Sequence, residues 1–320
     1  MLRLVLGPAL LILAASAVAG YTPPTATAQE IGEGSCTGEG ACEGLTASVG
    51  DNSCNGELAC RFNSGDIGDS SCNGLGPCQW NQGPVGDHSC NGTGSCILNT
   101  GKAGGHSCND FQACEVNSDD VGDHSCNGAD ACAYNSRAVG NNSCDGDVAC
   151  YFNNGPVSNG SCHGYFTCVE NSGQVGNNSC VGDNACVYNS GRVSDGSCNG
   201  TPVCQLNFGD VGNGSCNHEF ACDVNNGIIG DRSCNAQDAC YFISGTVGDR
   251  SCNGIQACLA NFGLIGHKSC SGLQACAENG GSIGDKSCNA DEACLNNTGV
   301  IGDNVCNAFQ ACKDNVADMP

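Results

Sequence analysis

Residues 49–66 read V-G-D-N-S-C-N-G-E-L-A-C-R-F-N-S-G-D, and residues 67–84 read I-G-D-S-S-C-N-G-L-G-P-C-Q-W-N-Q-G-P. The two stretches share one 18-residue frame, which continues without a slip in both directions. One cysteine series runs Cys36, Cys54, Cys72, Cys90, Cys108, Cys126, Cys144, Cys162, Cys180, Cys198, Cys216, Cys234, Cys252, Cys270, Cys288 and Cys306. A second runs six positions behind it: Cys42, Cys60, Cys78, Cys96, Cys114, Cys132, Cys150, Cys168, Cys186, Cys204, Cys222, Cys240, Cys258, Cys276, Cys294 and Cys312. The result is sixteen copies from Ile31 to Asp318 that use all 32 cysteines. Globular folds absorb insertions in loops, whereas an insertion in a stack of coils disturbs both neighbours; an unbroken period therefore points to a stack.

Each copy carries glycine at up to three places, as Gly50, Gly56 and Gly65 do in the second copy. A helix loses about 1 kcal/mol per interior glycine, and short segments between turn residues suit strands instead. The expected fold is all-β, a single β-solenoid of sixteen 18-residue coils with three corners each. At about 4.8 Å per coil the rod is roughly 75 Å long. Period-two alternation predicts that the Val/Ile column (Val49, Ile67, Val85, with Ala103 the exception) and both cysteines face inward. It also predicts an inward column two residues after the second cysteine: Phe62, Trp80, Leu98, Val116, Tyr134, Phe152, Tyr188, Leu206, Val224, Phe242 and Ala260. Serine and asparagine beside the first cysteine are expected to face outward.

With 49 Gly but only 9 Phe, 6 Tyr and 1 Trp, an ordinary apolar core would be thin. A cysteine content near a tenth of the chain marks a disulfide scaffold. Closure within a coil gives every coil the same bond, and the chain-entropy model assigns about 2.4 kcal/mol to so small a loop. Pairing between adjacent coils, Cys36 with Cys54 for instance, is the alternative. The C-x5-C spacing lacks the zinc-knuckle pattern. A second asparagine column, three residues after the second cysteine, fails only at Leu45 and Ile243. It reads as a hydrogen-bonded ladder at a corner.

Arg3, the apolar run from Leu4 to Val18 and small residues up to Ala28 follow the plan of a secretory signal peptide. The division expected is a signal peptide over 1–28 and a repeat domain over 29–320. A secreted, extracellular protein without a membrane span in the mature chain follows, in a compartment where disulfides persist. The net charge of −23 argues against nucleic acid as a partner. Uncapped ends would favour end-to-end self-association.

The 18-residue coil with V-G-x-x-S resembles the hexapeptide-repeat left-handed β-helix, and its length matches the calcium-binding β-roll. The Ser53-Cys54-Asn55 and Cys60 spacing, repeated in every coil, resembles the beetle-type hyperactive antifreeze solenoids. Their T-C-T segment becomes S-C-N here, and their 12-residue coil becomes 18. That resemblance implies ice binding through the outward columns Ser53, Asn55, Ser71, Asn73, Ser89, Asn91, Ser107, Asn109, Ser125 and Asn127.

No residue breaks the repeat to assemble a nucleophile, base and oxyanion site, so no enzyme is expected. The leading expectation is a structural or surface-interaction rod whose partners are matrix, cell surface or ice. No cofactor is required, although calcium is a candidate ligand of Asp51, Asp69, Asp87 and Asp123, whose column repeats a carboxylate along the stack. His88, His106 and His124 share one exposed column in successive coils.

Overall fold

The computed structural model describes residues 29–319, and the signal peptide expected over residues 1–28 lies outside them. Among the described residues there is no helix; the ordered elements are parallel bridges and strands. Isolated bridges join Ile31 to Val49, Val49 to Ile67 and so on up to Val193 and Val211, always one repeat apart. From there they widen into a parallel sheet in consecutive order: β1 (Asp210–Val211), β2 (Ile228–Ile229), β3 (Thr246–Val247), β4 (Leu264–Ile265), β5 (Ser282–Ile283) and β6 (Val300–Ile301). Each strand pairs with its equivalent in the next repeat, Val211 with Ile229 and Ile229 with Val247. The chain is a disulfide-laddered β-solenoid.

Main-chain hydrogen bonds run between coils nearly everywhere. The Cys54 N–H donates forward to the Ser71 carbonyl at 2.9 Å, and the Leu58 N–H donates back to Glu39 at 2.8 Å. That reversal follows from the backbone, which turns left-handed at short intervals: φ is 52° at Asn52, 58° at Cys54, 57° at Leu58, 55° at Cys60 and 54° at Phe62. Such conformations cost L-residues on the order of 1 kcal/mol each. They persist because each flipped peptide finds an acceptor in the neighbouring coil.

Two expectations about side-chain direction are corrected here. Ser53, Ser71, Ser89, Ser107 and Ser125 are fully buried, not outward. Conversely, the column expected to complete the core is on the surface: Trp80 is 51% exposed, Leu98 47%, Phe152 42% and Phe242 48%. Period two fails because Ser-Cys-Asn and Ala-Cys are not strands. Ser53 and Cys54 are both buried, as are Ala59 and Cys60, and consecutive burial cannot arise on a pleated strand whose outer face meets solvent. The core is instead the Val/Ile column, serine, both cysteines, alanine and the second asparagine column.

That asparagine column is a continuous ladder. Asn81 Nδ2 donates to Asn63 Oδ1 at 2.7 Å, and equivalent bonds follow through Asn153 and Asn171 to Asn225. The other amide hydrogen caps the carbonyl two residues on, as from Asn153 to Gly155 at 2.7 Å. At Ile243 the ladder stops; Asn225 Oδ1 accepts the Gly227 N–H instead, and a second ladder runs from Asn261 to Asn315. The backbone changes in the same place. Second cysteines from Cys42 to Cys222 have left-handed φ, and those from Cys240 onward do not. Correspondingly, the Cys204 N–H donates forward to Ala221, whereas the Cys258 N–H donates back to Ala239.

Replacing Asn153 by alanine orphans Asn135 Oδ1 and the Gly155 carbonyl in a buried setting. We expect a loss on the order of 2 kcal/mol, read by thermal unfolding, with faster amide exchange confined to the adjoining coils. Unchanged exchange there would show the ladder to be dispensable.

Candidate functional site

The residues singled out by the repeat are brought together in columns along the rod. Disulfides close within each repeat, from Cys36–Cys42 and Cys54–Cys60 to Cys306–Cys312, with Cα separations of 5.7, 5.6 and 5.6 Å. Every first and second cysteine named above belongs to such a pair, and none of the described cysteines is free. Neighbouring disulfides crowd together, so that sulfurs of Cys60, Cys72 and Cys78 lie within 4.8 Å of one another. Being oxidised, they hold no thiolate to offer a metal.

Each buried serine hydroxyl is fully employed. Ser125 Oγ accepts the Ser143 N–H at 3.1 Å and donates to the Gly140 carbonyl at 2.8 Å. Ser53, Ser71, Ser89 and Ser107 make the same connections. Asparagines of the adjoining column are half-buried. Asn55, Asn73, Asn91, Asn109 and Asn127 each accept, through Oδ1, the N–H of the equivalent residue one coil earlier. A template for ordered water needs free hydroxyls and amides on a wall; these two columns face into the rod or into its own backbone.

The aspartate column does comparable work at the surface. Asp51 Oδ1 accepts the Glu33 N–H at 2.7 Å, Asp69 accepts from Asp51 at 2.8 Å, Asp87 from Asp69 at 2.9 Å and Asp123 from Gly105 at 2.9 Å. What this position requires is an acceptor atom two bonds beyond Cβ. That requirement explains why Asn141 and Asn159 replace aspartate, and why His267 does so through Nδ1, which accepts the Asp249 N–H at 2.9 Å. Each of these carboxylates thus has a hydrogen-bonding place in the fold.

Exposed positions carry the variation. His88, His106 and His124 stack with ring centroids 4.8 Å apart. Arg232, Arg250, Lys268 and Lys286 continue the same column and, with Asp231, Asp249, Asp285 and His267, line an open groove. One titrating group is buried off these columns. Burial pushes the Asp223 carboxyl up to about 6, offset in part by the Gln205 N–H it accepts at 2.9 Å and reinforced by Asp238. Sequence reasoning missed this residue, since its column varies from coil to coil, with Arg61, Glu115, Tyr151, Val187 and Gln205 among its members, and so carried no repeated charge signal.

The chain matches one family, described as a domain of unknown function (DUF7640), over residues 11–109, 89–203, 180–274 and 238–320. No curated protein and no solved structure matches it. No helix among the described residues is long and apolar enough to cross a membrane.

Two substitutions test these assignments. A folded-state pKa raised above the unfolded value near 3.9 means that the folded chain holds the Asp223 proton more tightly. Its contribution is complete below about pH 4 and lost above about 6, where the buried carboxylate costs on the order of 2 kcal/mol. Asp223→Asn keeps the acceptor for Gln205, so it should raise stability at pH 7 and leave it nearly unchanged at pH 4. In the surface column, Asp69→Asn should be neutral and Asp69→Ala should cost about 1 kcal/mol; equal melting of the two variants would remove the capping role.

Proposed function

The chain belongs to the DUF7640 family, and we propose that it is a secreted, non-catalytic structural rod whose disulfide ladder lets a thin core hold an extended surface outside the cell. The observation that carries this reading is the fate of the polar columns. The side chains that recur most faithfully, namely both cysteines, serine, the two asparagine columns and aspartate, are engaged with the rod's own backbone or with one another. None of these columns is left over to supply a repeated catalytic group.

Export is supported by the N-terminal apolar segment and by the density of oxidised cysteines, which suits an oxidising compartment. Calcium is not needed for the turns, whose backbone is capped by aspartate, asparagine or histidine alike. A non-catalytic role is supported by open, shallow surface grooves lined by turn residues. These grooves lie open along the surface, unlike the enclosed clefts that bury a substrate.

The full chain, expressed in a secreting host, should appear in the medium with its N-terminal segment removed and no titratable thiol. Small-angle scattering should give a stiff particle about 75 Å long. Under non-denaturing conditions a strong reductant should lower its melting temperature by tens of degrees or unfold it, since sixteen cross-links are lost. Intracellular retention with free thiols would overturn the proposal.

A further inference from the structure

One wall of this rod does not match the rest of its surface. Outward positions on either side of the buried asparagine ladder form two columns, and a third, partly buried column precedes them. Over residues 61–262 these three columns hold only four charged side chains, Arg61, Glu115, Glu170 and the buried Asp223, in a protein with 33 acidic residues. The central column, from Phe62 to Ala260, forms an apolar ridge interrupted only by Glu170, its members exposed at Trp80, Leu98, Tyr134, Phe152, Tyr188, Leu206 and Phe242 and half-buried at Phe62, Val116, Val224 and Ala260. Its large members together expose on the order of 600 Å² of apolar surface, at the upper end of what a monomer leaves to water.

We propose that this ridge is a homotypic interface through which two copies of the rod pair side by side. Three features favour a second copy as the occupant. The pitch is the first: ridge residues recur once per coil, so a second rod presents the same spacing and the ridges interdigitate along their whole length. Charge is the second. Two chains of net charge −23 repel wherever carboxylates meet, and this wall is where few would. The third is ring orientation. Phe62 and Trp80 stack at 4.4 Å and 26°, and Tyr134 and Phe152 at 4.8 Å and 17°. Rings stacked along the rod show their edges, not their faces, to solvent, which suits interdigitation and not a flat sugar platform. A strip about 50 Å long and 10 Å wide buries about 1,000 Å² over both rods, the lower range for a specific reversible contact.

This pairing rests on the structural-rod reading and names its partner. Trp80 is the chain's single tryptophan and sits in the ridge, so its emission reports the contact directly. Sedimentation of the exported full chain should show a monomer–dimer equilibrium, with a blue shift of Trp80 emission as concentration rises. Added salt should strengthen the dimer by screening the net charge. The triple variant Phe152→Asn, Tyr188→Asn, Phe242→Asn should stay monomeric at concentrations where the wild type pairs, while still scattering as a folded stiff rod without free thiols. Asparagine tolerates the left-handed backbone of this column, where Asn296 already stands at φ 59°. Arg250→Asn with Lys268→Asn, on a different column, should leave the dimer intact. A wild-type monomer at every soluble concentration would overturn pairing, as would undiminished dimerisation of the triple variant or an emission shift produced by soluble polysaccharide alone. A monomer that scatters as a stiff rod would sink the pairing and leave the structural reading standing.

Discussion

A chain wound one coil thick has no second layer to satisfy its backbone, and the rest of this structure depends on that constraint. Each N–H and carbonyl that points along the rod must find its partner in the coil above or below. An 18-residue register meets the demand only if every coil repeats the same geometry, so a single inserted residue would orphan groups on both sides. The unbroken spacing of the cysteines is the covalent record of that requirement. Polar side chains complete it: serine bridges a buried N–H to a carbonyl in the next coil, asparagine caps a corner, and aspartate serves the exposed turn.

Disulfides and left-handed backbone belong to one solution. The first cysteine of every repeat has φ between 56° and 60°, a conformation that alternates peptide direction and turns consecutive residues inward. The local cost is met by a cross-link and by inter-coil hydrogen bonds, and the side chains gathered inside are small. Cysteine, alanine, serine and valine fill an interior too narrow for phenylalanine. Among the described residues only Arg61 Nε is a buried side-chain polar atom without a hydrogen bond, and it lies 2.8 Å from Glu43 Oε2. Near-complete satisfaction of this kind is what permits so much polar surface to be buried.

Uniformity is not total. At Ile243 the buried amide ladder is interrupted, the second cysteine loses its left-handed φ from Cys240 onward, and bridges have by then broadened into strands. The exterior changes along the rod as well. Histidines stack in the N-terminal half, while arginines and lysines occupy the same column toward the C-terminus. The interior is therefore tied to the register, and the exterior is free to differ, which is where any specificity of this rod must reside.

The repeat, its length, the β-solenoid class and the inwardness of valine and cysteine were legible in the amino-acid sequence, because periodicity and covalent spacing are linear properties. The asparagine ladder was legible too, through fourteen recurrences in one column. Serine's burial and the aromatic column's exposure were not. Both depend on φ at Cys54, Cys60 and Phe62, and the sign of a backbone angle leaves no trace in residue identity when cysteine, leucine and tryptophan all adopt it. Nor was the raised pKa of Asp223 visible, since burial is a property of neighbours 18 residues away. Period-two logic holds only where the chain is pleated, and tertiary stacking decided where that was.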